Sequence, residues 1–309
     1  MFMKKVLLII DGSFLSFVCC HRAFKSWQEQ YQCMDTCIIR PPEESDQDNL
    51  PDLVNESQWF KKCLYNAAVD KLNGLANIVE NSTGMLYPQS SFVDTVIAKD
   101  SKLTKSFRYA LYPEYKLTRK LNRAKRGQYK IGPVFDELYA NVFPSIFGDR
   151  MVQLAVDGAE GDDVIASIAR SDRVAQDYEK IILISSDRDF VQLQIDRPVT
   201  QYDAKGEMVL PRLKRGNEVI ELTPQQALMI KIISGDNSDN IKPIKPKVGE
   251  IRAYKYITES TDEFKRMLKE EPETAQHLIL NSKLIDFKNI PPELTQKVVD
   301  EFYRLRNWQ

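Results

Sequence analysis

The sequence predicts an α/β protein built on a parallel sheet, and two aliphatic runs predict it first. Lys5 to Ile10 and Lys180 to Ile184 each run, after the lysine, as a continuous apolar stretch without the alternation of a half-exposed strand. Strands buried on both faces have this pattern and belong to parallel sheets covered by helices on each side. The third observation is that each run ends in acid: Asp11 after the first, Ser185-Ser186-Asp187-Arg188-Asp189 after the second. The carboxyl ends of parallel strands share one edge, where open α/β sheets build their sites.

Two more strands repeat the theme. Ser91 to Lys99 carries Phe92, Val93, Val96, Ile97 and Ala98 and ends at Asp100, with Asp94 inside the strand as a competing acid. Met151 to Val156 runs into Asp157-Gly158-Ala159-Glu160-Gly161-Asp162-Asp163 and then a helix over Val164 to Arg170. An acid at a helix N-terminus is favoured by the dipole, which explains one of these carboxylates and not the cluster. Helical spacing predicts a core-packing helix over Trp59 to Glu80 and one or two helices over Phe135 to Phe147. Val199 to Tyr202 and Glu207 to Leu210 flank Asp203-Ala204-Lys205-Gly206 as a hairpin. Thr223-Pro224 is an N-cap and N1 pair starting a helix through Ile233, which ends at Gly235-Asp236-Asn237-Ser238-Asp239-Asn240-Ile241. The charged, helical last fifth predicts a smaller subdomain. The expected division is a catalytic domain over 1–220 and a helical domain over 221–309.

Composition is that of an ordinary globular protein, with 309 residues, 43% hydrophobic and 28% charged. Net charge is −1, so bulk charge selects no partner and local charge decides. The first apolar run stops at Asp11, too short for a signal peptide, and no run approaches the roughly 18 apolar residues of a membrane helix. A cytoplasmic protein without a membrane partner is expected. The five cysteines are an odd number in the first fifth of the chain, which argues for a reducing compartment. Only His21 lies near them, so buried or incidental thiols are expected rather than zinc.

Two segments differ sharply in charge. Between Pro41 and Ser57 stand six acids and no Lys or Arg, and residues 24–57 read as a peripheral insertion loop kept away from phosphates. Residues 101–130 hold ten basic residues against Glu114 alone, about +9, with Phe107, Tyr109, Tyr112, Tyr115 and Tyr129 interleaved. A solvated helix face alternates both signs. One dominant sign with aromatics suits phosphate neutralisation and base stacking instead. The nucleic-acid candidates here are Lys102, Lys105, Arg108, Tyr115, Lys116, Arg119, Lys120 and Arg123.

The strand ends thus carry Asp11, Asp100, Glu160, Asp162, Asp163, Asp187 and Asp189, and a loop adds Asp236 and Asp239. So many carboxylates on one edge need cations, and oxygen-only ligation suits magnesium, with manganese as a substitute. His21 and His277 lie outside the cluster, which counts against a zinc hydrolase and a histidine base. A dehalogenase-like phosphatase would need a second Asp where Ser13 stands. Acids beside a basic segment suggest phosphodiester hydrolysis, with two metal ions about 4 Å apart and Lys116 or Arg119 reaching the scissile phosphate.

In this order, Asp11, Glu160-Gly161-Asp162-Asp163, Ser186-Asp187-Arg188-Asp189-Phe190 and Gly235-Asp236-Asn237-Ser238-Asp239-Asn240-Ile241 resemble the 5′ nuclease (flap endonuclease) superfamily. The chain is similar in particular to its phage-type RNase H and 5′–3′ exonuclease branch, also in length and in Leu284-Ile285-Asp286-Phe287. The resemblance spans nearly the whole chain outside 24–57. It implies removal of RNA primers and 5′ flaps during phage DNA replication, in an infected host's cytoplasm, on DNA and RNA–DNA hybrids. It implies a first metal site from Asp11, Asp100, Glu160, Asp162 and Asp187, and a second from Asp189, Asp236 and Asp239 with Asp163 assisting. Residues 101–135 match the family's arch, and Tyr115-Lys116-Leu117-Thr118-Arg119 is similar to its phosphate-contacting element. The chain is expected to be a monomer, with a single-strand-binding protein or sliding clamp as possible partners.

Three departures stand out, one being that residues 41–57 have no counterpart in the family. The second carboxylate sits in Lys99-Asp100-Ser101 rather than a glycine turn. The helix-hairpin-helix that follows Asn240 in the family, often with a potassium ion, reads Lys242-Pro243-Ile244-Lys245-Pro246-Lys247-Val248-Gly249, with one glycine. Lys242, Lys245 and Lys247 still suit the duplex backbone. The competing readings are a PIN-type ribonuclease, which lacks the long arch and the Gly235–Ile241 motif, and a nucleic-acid-binding protein without catalysis, against which the retained carboxylates weigh.

Overall fold

The computed structural model describes residues 5–31, 51–87, 89–101, 106–119, 129–148 and 151–306. Its centre is a five-stranded parallel sheet made of β1 (Lys5–Asp11), β2 (Val93–Ala98), β3 (Met151–Leu154), β4 (Tyr178–Ile184) and β5 (Val199–Tyr202), in the spatial order β3-β2-β1-β4-β5. All four pairings are parallel. The chain moves outward from β1 to β2 and β3, then returns to the other side of β1 with β4. The direction of winding therefore changes between β1 and β4, and open sheets hold ligands at such a switch point.

Alternation along β1 sorts the two cores. Val6, Leu8 and Ile10 point to one face with Ile182 and Ile184, beneath α1 (Gly12–Tyr31), α2 (Leu53–Glu56) and α3 (Gln58–Thr83). Also on that face are α5 (Ile131–Glu137) and α6 (Phe143–Phe147), whereas α4 (Phe107–Leu111), which opens the basic segment, packs toward the second face through Phe107. Leu7 and Ile9 point to that second face, with Val96, Leu154 and the apolar side of α7 (Gly161–Arg170). A π-helical turn, Leu138–Val142, joins α5 to α6 where one or two regular helices were expected. It carries Tyr139, whose ring lies 4.3 Å from Lys99 Nζ.

Three expectations need correction. The insertion does not begin at residue 24: α1 continues to Tyr31, and Trp27 is buried against Phe60 and Tyr129. At the other end Leu53 and Val54 are in the core, so apolar residues inside an acidic stretch overrode its charge. Residues 32–50 lie outside the described residues. The expected hairpin after β5 has one antiparallel bridge, Tyr202 to Met208, and no second strand. The antiparallel pair lies further on, β6 (Arg212–Arg215) with β7 (Glu218–Glu221), which the sequence reading missed.

The boundary at 220/221 also shifts. Leu213 of β6 packs with Ile230 and Ile233 of α9 (Pro224–Ser234; α8 is Asp172–Asp177), and with Ala253 and Tyr256 of α10 (Glu250–Thr258) and Phe264 of α11 (Thr261–Glu270). The small core therefore starts before residue 220. At the far end α12 (Pro272–Ile285) leads to α13 (Pro292–Arg306), whose Val298, Val299 and Phe302 return to the second face of the large sheet. Burying those side chains ties the last helix to the large sheet rather than to the small core around Leu213. Cys19, Cys20 and Cys63 are buried free thiols, and no described helix is long and apolar enough to cross a membrane.

Candidate active site

Asp11 ends β1 at the switch point. One carboxylate oxygen accepts the Phe14 amide at 3.0 Å and the other accepts the Ser185 hydroxyl at 2.8 Å across the strand pair. Gly12 must follow it, because a Cβ there would sit 2.5 Å from the Ala98 carbonyl and 2.7 Å from the Tyr139 hydroxyl. On the neighbouring strand end, Asp100 accepts the Gly161 amide at 2.7 Å and the Ser13 hydroxyl at 2.9 Å. Asp94, the competing acid, instead meets Lys5, the Tyr178 hydroxyl and Arg306, away from this cluster.

Asp100 and Asp187 both repel Asp11 and Asp162, and Asp11 repels Asp162. Burial, reinforced by Asp100 and Asp187, pushes the Asp11 carboxyl up to about 6. Burial pushes Asp162 well above the usual carboxylate range, with Asp11, Asp187 and Asp100 adding to it and Lys116 opposing. Asp187 accepts the Asp189 amide at 2.9 Å, which fixes the turn after β4.

The second half of the site gathers on Lys231. Its ammonium is bonded to Asp189 and lies 2.9 Å from Asp236. Burial disfavours that charge, but the two carboxylates outweigh it and hold the ammonium above its usual range. Lys231 was absent from the sequence-based candidates. Its signal was a lone lysine inside Leu228-Met229-Ile230-Lys231-Ile232-Ile233. The loop beyond it depends on Gly235, at φ 72°, where a Cβ would meet the Ile241 carbonyl at 2.4 Å. Asp236 and Ile241 close that loop with two mutual backbone bonds of 2.8 Å.

Glu160 and Asp163 are placed differently from expectation. Both are buried and face inward, toward cations of the protein. Arg108 Nη1 lies 3.1 Å from Glu160 and 2.8 Å from Asp163, and Lys116 Nζ lies 2.7 Å from Glu160. Asp163 also accepts the Glu160 amide at 3.0 Å, capping α7. Arg108 is 3% exposed and bonded through Nε to the Leu284 carbonyl. It is therefore an internal counter-ion, not the phosphate contact expected. Tyr115 is 3% exposed, with its hydroxyl donating to Glu160 at 2.9 Å and Asp239 at 3.2 Å, so it has no free face for a base. The interleaved aromatics misled here because burial claimed the ring first.

Lys116 and Arg119 do border the acids. Lys116 is buried beside Glu160, and Asp239, Glu160 and Asp162 raise its ammonium against the cost of burial. Arg119 is half-exposed and lies 2.5 Å from Asp239. Lys242, Lys245 and Lys247 are exposed on the segment between α9 and α10, with Lys242 facing Glu114 at 3.6 Å and Lys245 facing Glu271 at 2.6 Å. Lys102, Lys105, Lys120 and Arg123 lie outside the described residues.

Among the described residues, no three His, Cys, Asp or Glu side chains are drawn together closely enough to hold a metal ion. The donor chemistry nevertheless fits a hard divalent cation. The ligands on offer are carboxylate oxygens, and Asp11 and Asp162 are lifted by burial and by like charge, a cost a cation would relieve. Lys116 and Arg119 partly meet that need at Asp162, and Lys231 does the same for Asp189 and Asp236.

Comparison with known proteins agrees with this geometry. The family model described as "5′-3′ exonuclease, N-terminal resolvase-like domain" matches residues 61–221. DNA polymerase I of Bacillus subtilis is 28% identical over 244 residues, covering 78% of this chain and 24% of that protein. DNA polymerase I of Streptococcus pneumoniae is 34% identical over 263 residues, covering 83% and 24%. The chain thus spans about a quarter of the length of these relatives. A 5′-3′ exonuclease of Buchnera aphidicola is 26% identical over 183 residues, covering 55% of this chain and 58% of that protein. Among solved structures, the bacteriophage T5 D15 protein co-crystallised with metal ions superposes with a TM-score of 0.58 at 18% identity, covering 97% of this chain and 99% of that one. The T5 D15 flap endonuclease solved as a pseudo-enzyme–product complex with DNA and metal ions gives a TM-score of 0.55 at 17% identity with the same coverage. Sheet order, acidic strand ends and sequence match together place this chain in the 5′-3′ exonuclease family.

Proposed function

We propose that the protein is a magnesium-dependent 5′ nuclease that hydrolyses phosphodiesters at 5′ ends and flaps of DNA and of RNA–DNA hybrids, with primer and flap removal during phage DNA replication as its role. The observation that carries this is the gathering of Asp100 and Asp187 against the raised carboxyls of Asp11 and Asp162, with the basic pair Lys116 and Arg119 acting on Asp162. The first four residues would hold one ion, and Asp189, Asp236 and Asp239 a second. Bound there, magnesium supplies charge for the reacting phosphate and acidifies water.

The chain's own groups do the rest. Lys116 and Arg119 bind and orient the phosphate, exchanging Glu160 and Asp239 for its oxygens. Lys231 keeps Asp189 and Asp236 ionised: burial raises Asp189, whereas the ammonium holds Asp236 below the usual range against the same effect. Exposed Lys242, Lys245 and Lys247 face the duplex backbone. The T5 D15 complex with DNA and metal ions supports this reading through shared fold.

The test is cleavage of a 5′-flap DNA and a 5′-ended RNA–DNA hybrid with magnesium. Release of short 5′ products that EDTA abolishes is expected. Binding without cleavage under these conditions would overturn the catalytic reading and favour a nucleic-acid-binding protein.

A further inference from the structure

We infer that Asn240 is a positioning residue for the basic edge of the site, acting through a clasp between the start of the arch and the Asp236–Ile241 loop; its catalytic consequence rests on the nuclease reading above. Three non-glycine residues with positive φ occur among the described residues, and two of them belong to this clasp: Lys116 at 54° and Asn240 at 61°. Such backbone costs free energy and persists where its surroundings hold it in place.

The two segments hold each other. Asn240 Nδ2 donates to the Glu114 carbonyl at 2.9 Å. The Tyr112 hydroxyl donates to the Asn240 carbonyl at 3.2 Å. The Lys116 amide donates to the Asp239 carbonyl at 2.9 Å, and Arg119 Nε donates to the Ser238 carbonyl at 3.1 Å. Beneath these bonds Tyr115 and Ile241 share one small apolar cluster. Each bond joins the start of the arch to the loop that bears Asp236 and Asp239.

The residue type follows from the geometry. The position needs a left-handed backbone and a side-chain donor at once. Asparagine tolerates the first and its amide supplies the second. Glycine would keep the backbone and lose the donor. The bond to Glu114 fixes the turn Glu114–Lys116, and that turn aims the Lys116 ammonium at Glu160, next to Asp162. Asn240 touches no reacting atom. It sets where Lys116 stands relative to the carboxylates.

The experiment uses Asn240→Gly, and Tyr112→Phe as a milder variant that removes one hydroxyl. Hydrogen exchange reads the clasp without catalysis. Amides of 112–119 should exchange about tenfold faster in both variants, with the β1 and β4 amides unchanged. Unchanged exchange in 112–119 would overturn the clasp. Single-turnover cleavage of 5′-flap DNA reads the consequence. Asn240→Gly should slow the rate at saturating substrate roughly ten- to thirtyfold and leave DNA affinity within about twofold. In a Lys116→Ala background the same change should add little, because Asn240 acts through Lys116. A loss that multiplies undiminished onto Lys116→Ala, or one confined to affinity, would overturn the positioning role. If the wild-type protein cuts no flap, the nuclease reading fails and the exchange data still decide the clasp.

Discussion

Lys231 Nζ lies 2.9 Å from Asp236 and is also bonded to Asp189, so one ammonium links the turn after β4 to the loop after α9. Lys231→Met leaves two carboxylates facing each other unpaired. Because the pair is about a quarter exposed, the loss in EDTA should be about 1–3 kcal/mol, below that of a fully buried pair. Urea denaturation measures it, and magnesium should restore half or more. An equal loss with and without magnesium would count against Asp189 and Asp236 as ligands.

Asp11→Asn should stabilise the metal-free protein while abolishing turnover. The Asp11 carboxyl is raised to about 6, so its neutral form is the one that folding favours. That contribution is complete below the ordinary carboxylate value and disappears as pH rises through about 6. Between pH 4 and 7 the metal-free wild type should lose roughly 1–3 kcal/mol from this group, and the Asn variant should not. Denaturation in EDTA across that range checks it. Identical pH profiles would show that Asp11 carries no such cost.

Arg108→Met should cost about 3–5 kcal/mol, because Glu160 and Asp163 are left buried with one cation fewer. Arg108→Lys should rescue poorly, since one ammonium cannot serve both acids and the Leu284 carbonyl. Thermal melting measures both. Any folded Arg108 variant should keep the wild-type salt dependence of DNA binding. Arg119→Ala should shallow that dependence by about one ion.

Gly235→Ala should lose more than about 2 kcal/mol and most cleavage activity, because both φ and space oppose a side chain there. Asp236 would lose the backbone bonds that close its loop. A variant with unchanged melting and rate would show that the loop relaxes freely.

The parallel sheet was legible because Val6–Ile10 in β1 and Ile181–Ile184 in β4 are uninterrupted apolar runs, a pattern few other structures allow. The acidic strand ends were legible for the same reason, since direction alone puts Asp11, Asp100 and Asp187 on one edge. What stayed hidden was the destination of charge. Arg108 and Tyr115 have the composition of a nucleic-acid track, and only three-dimensional proximity to Glu160, Asp163 and Asp239 reveals them as internal partners. Lys231 hid in an apolar helix, where a single charge reads as a surface position. The reach of α1 to Tyr31 was masked by neighbouring acids, although Trp27 is a core residue. The return of α13 to the sheet was equally hidden, because an amphipathic helix does not say which core it covers.

That return has a consequence for how the protein is made. Lys5 at the start of β1 and Arg306 at the end of α13 both bond to Asp94, so the first strand and the last helix meet at one carboxylate. As the chain is made, Leu7 and Ile9 are covered by α7, whereas Val152 and Leu154 of β3 and the outer side of α7 wait for Val298 and Phe302 of α13. Until then that surface is open to chaperones and to other nascent chains. Truncation before Pro292 should therefore leave the apolar surface of β3 and α7 exposed and send the protein to the insoluble fraction rather than give a weakened enzyme.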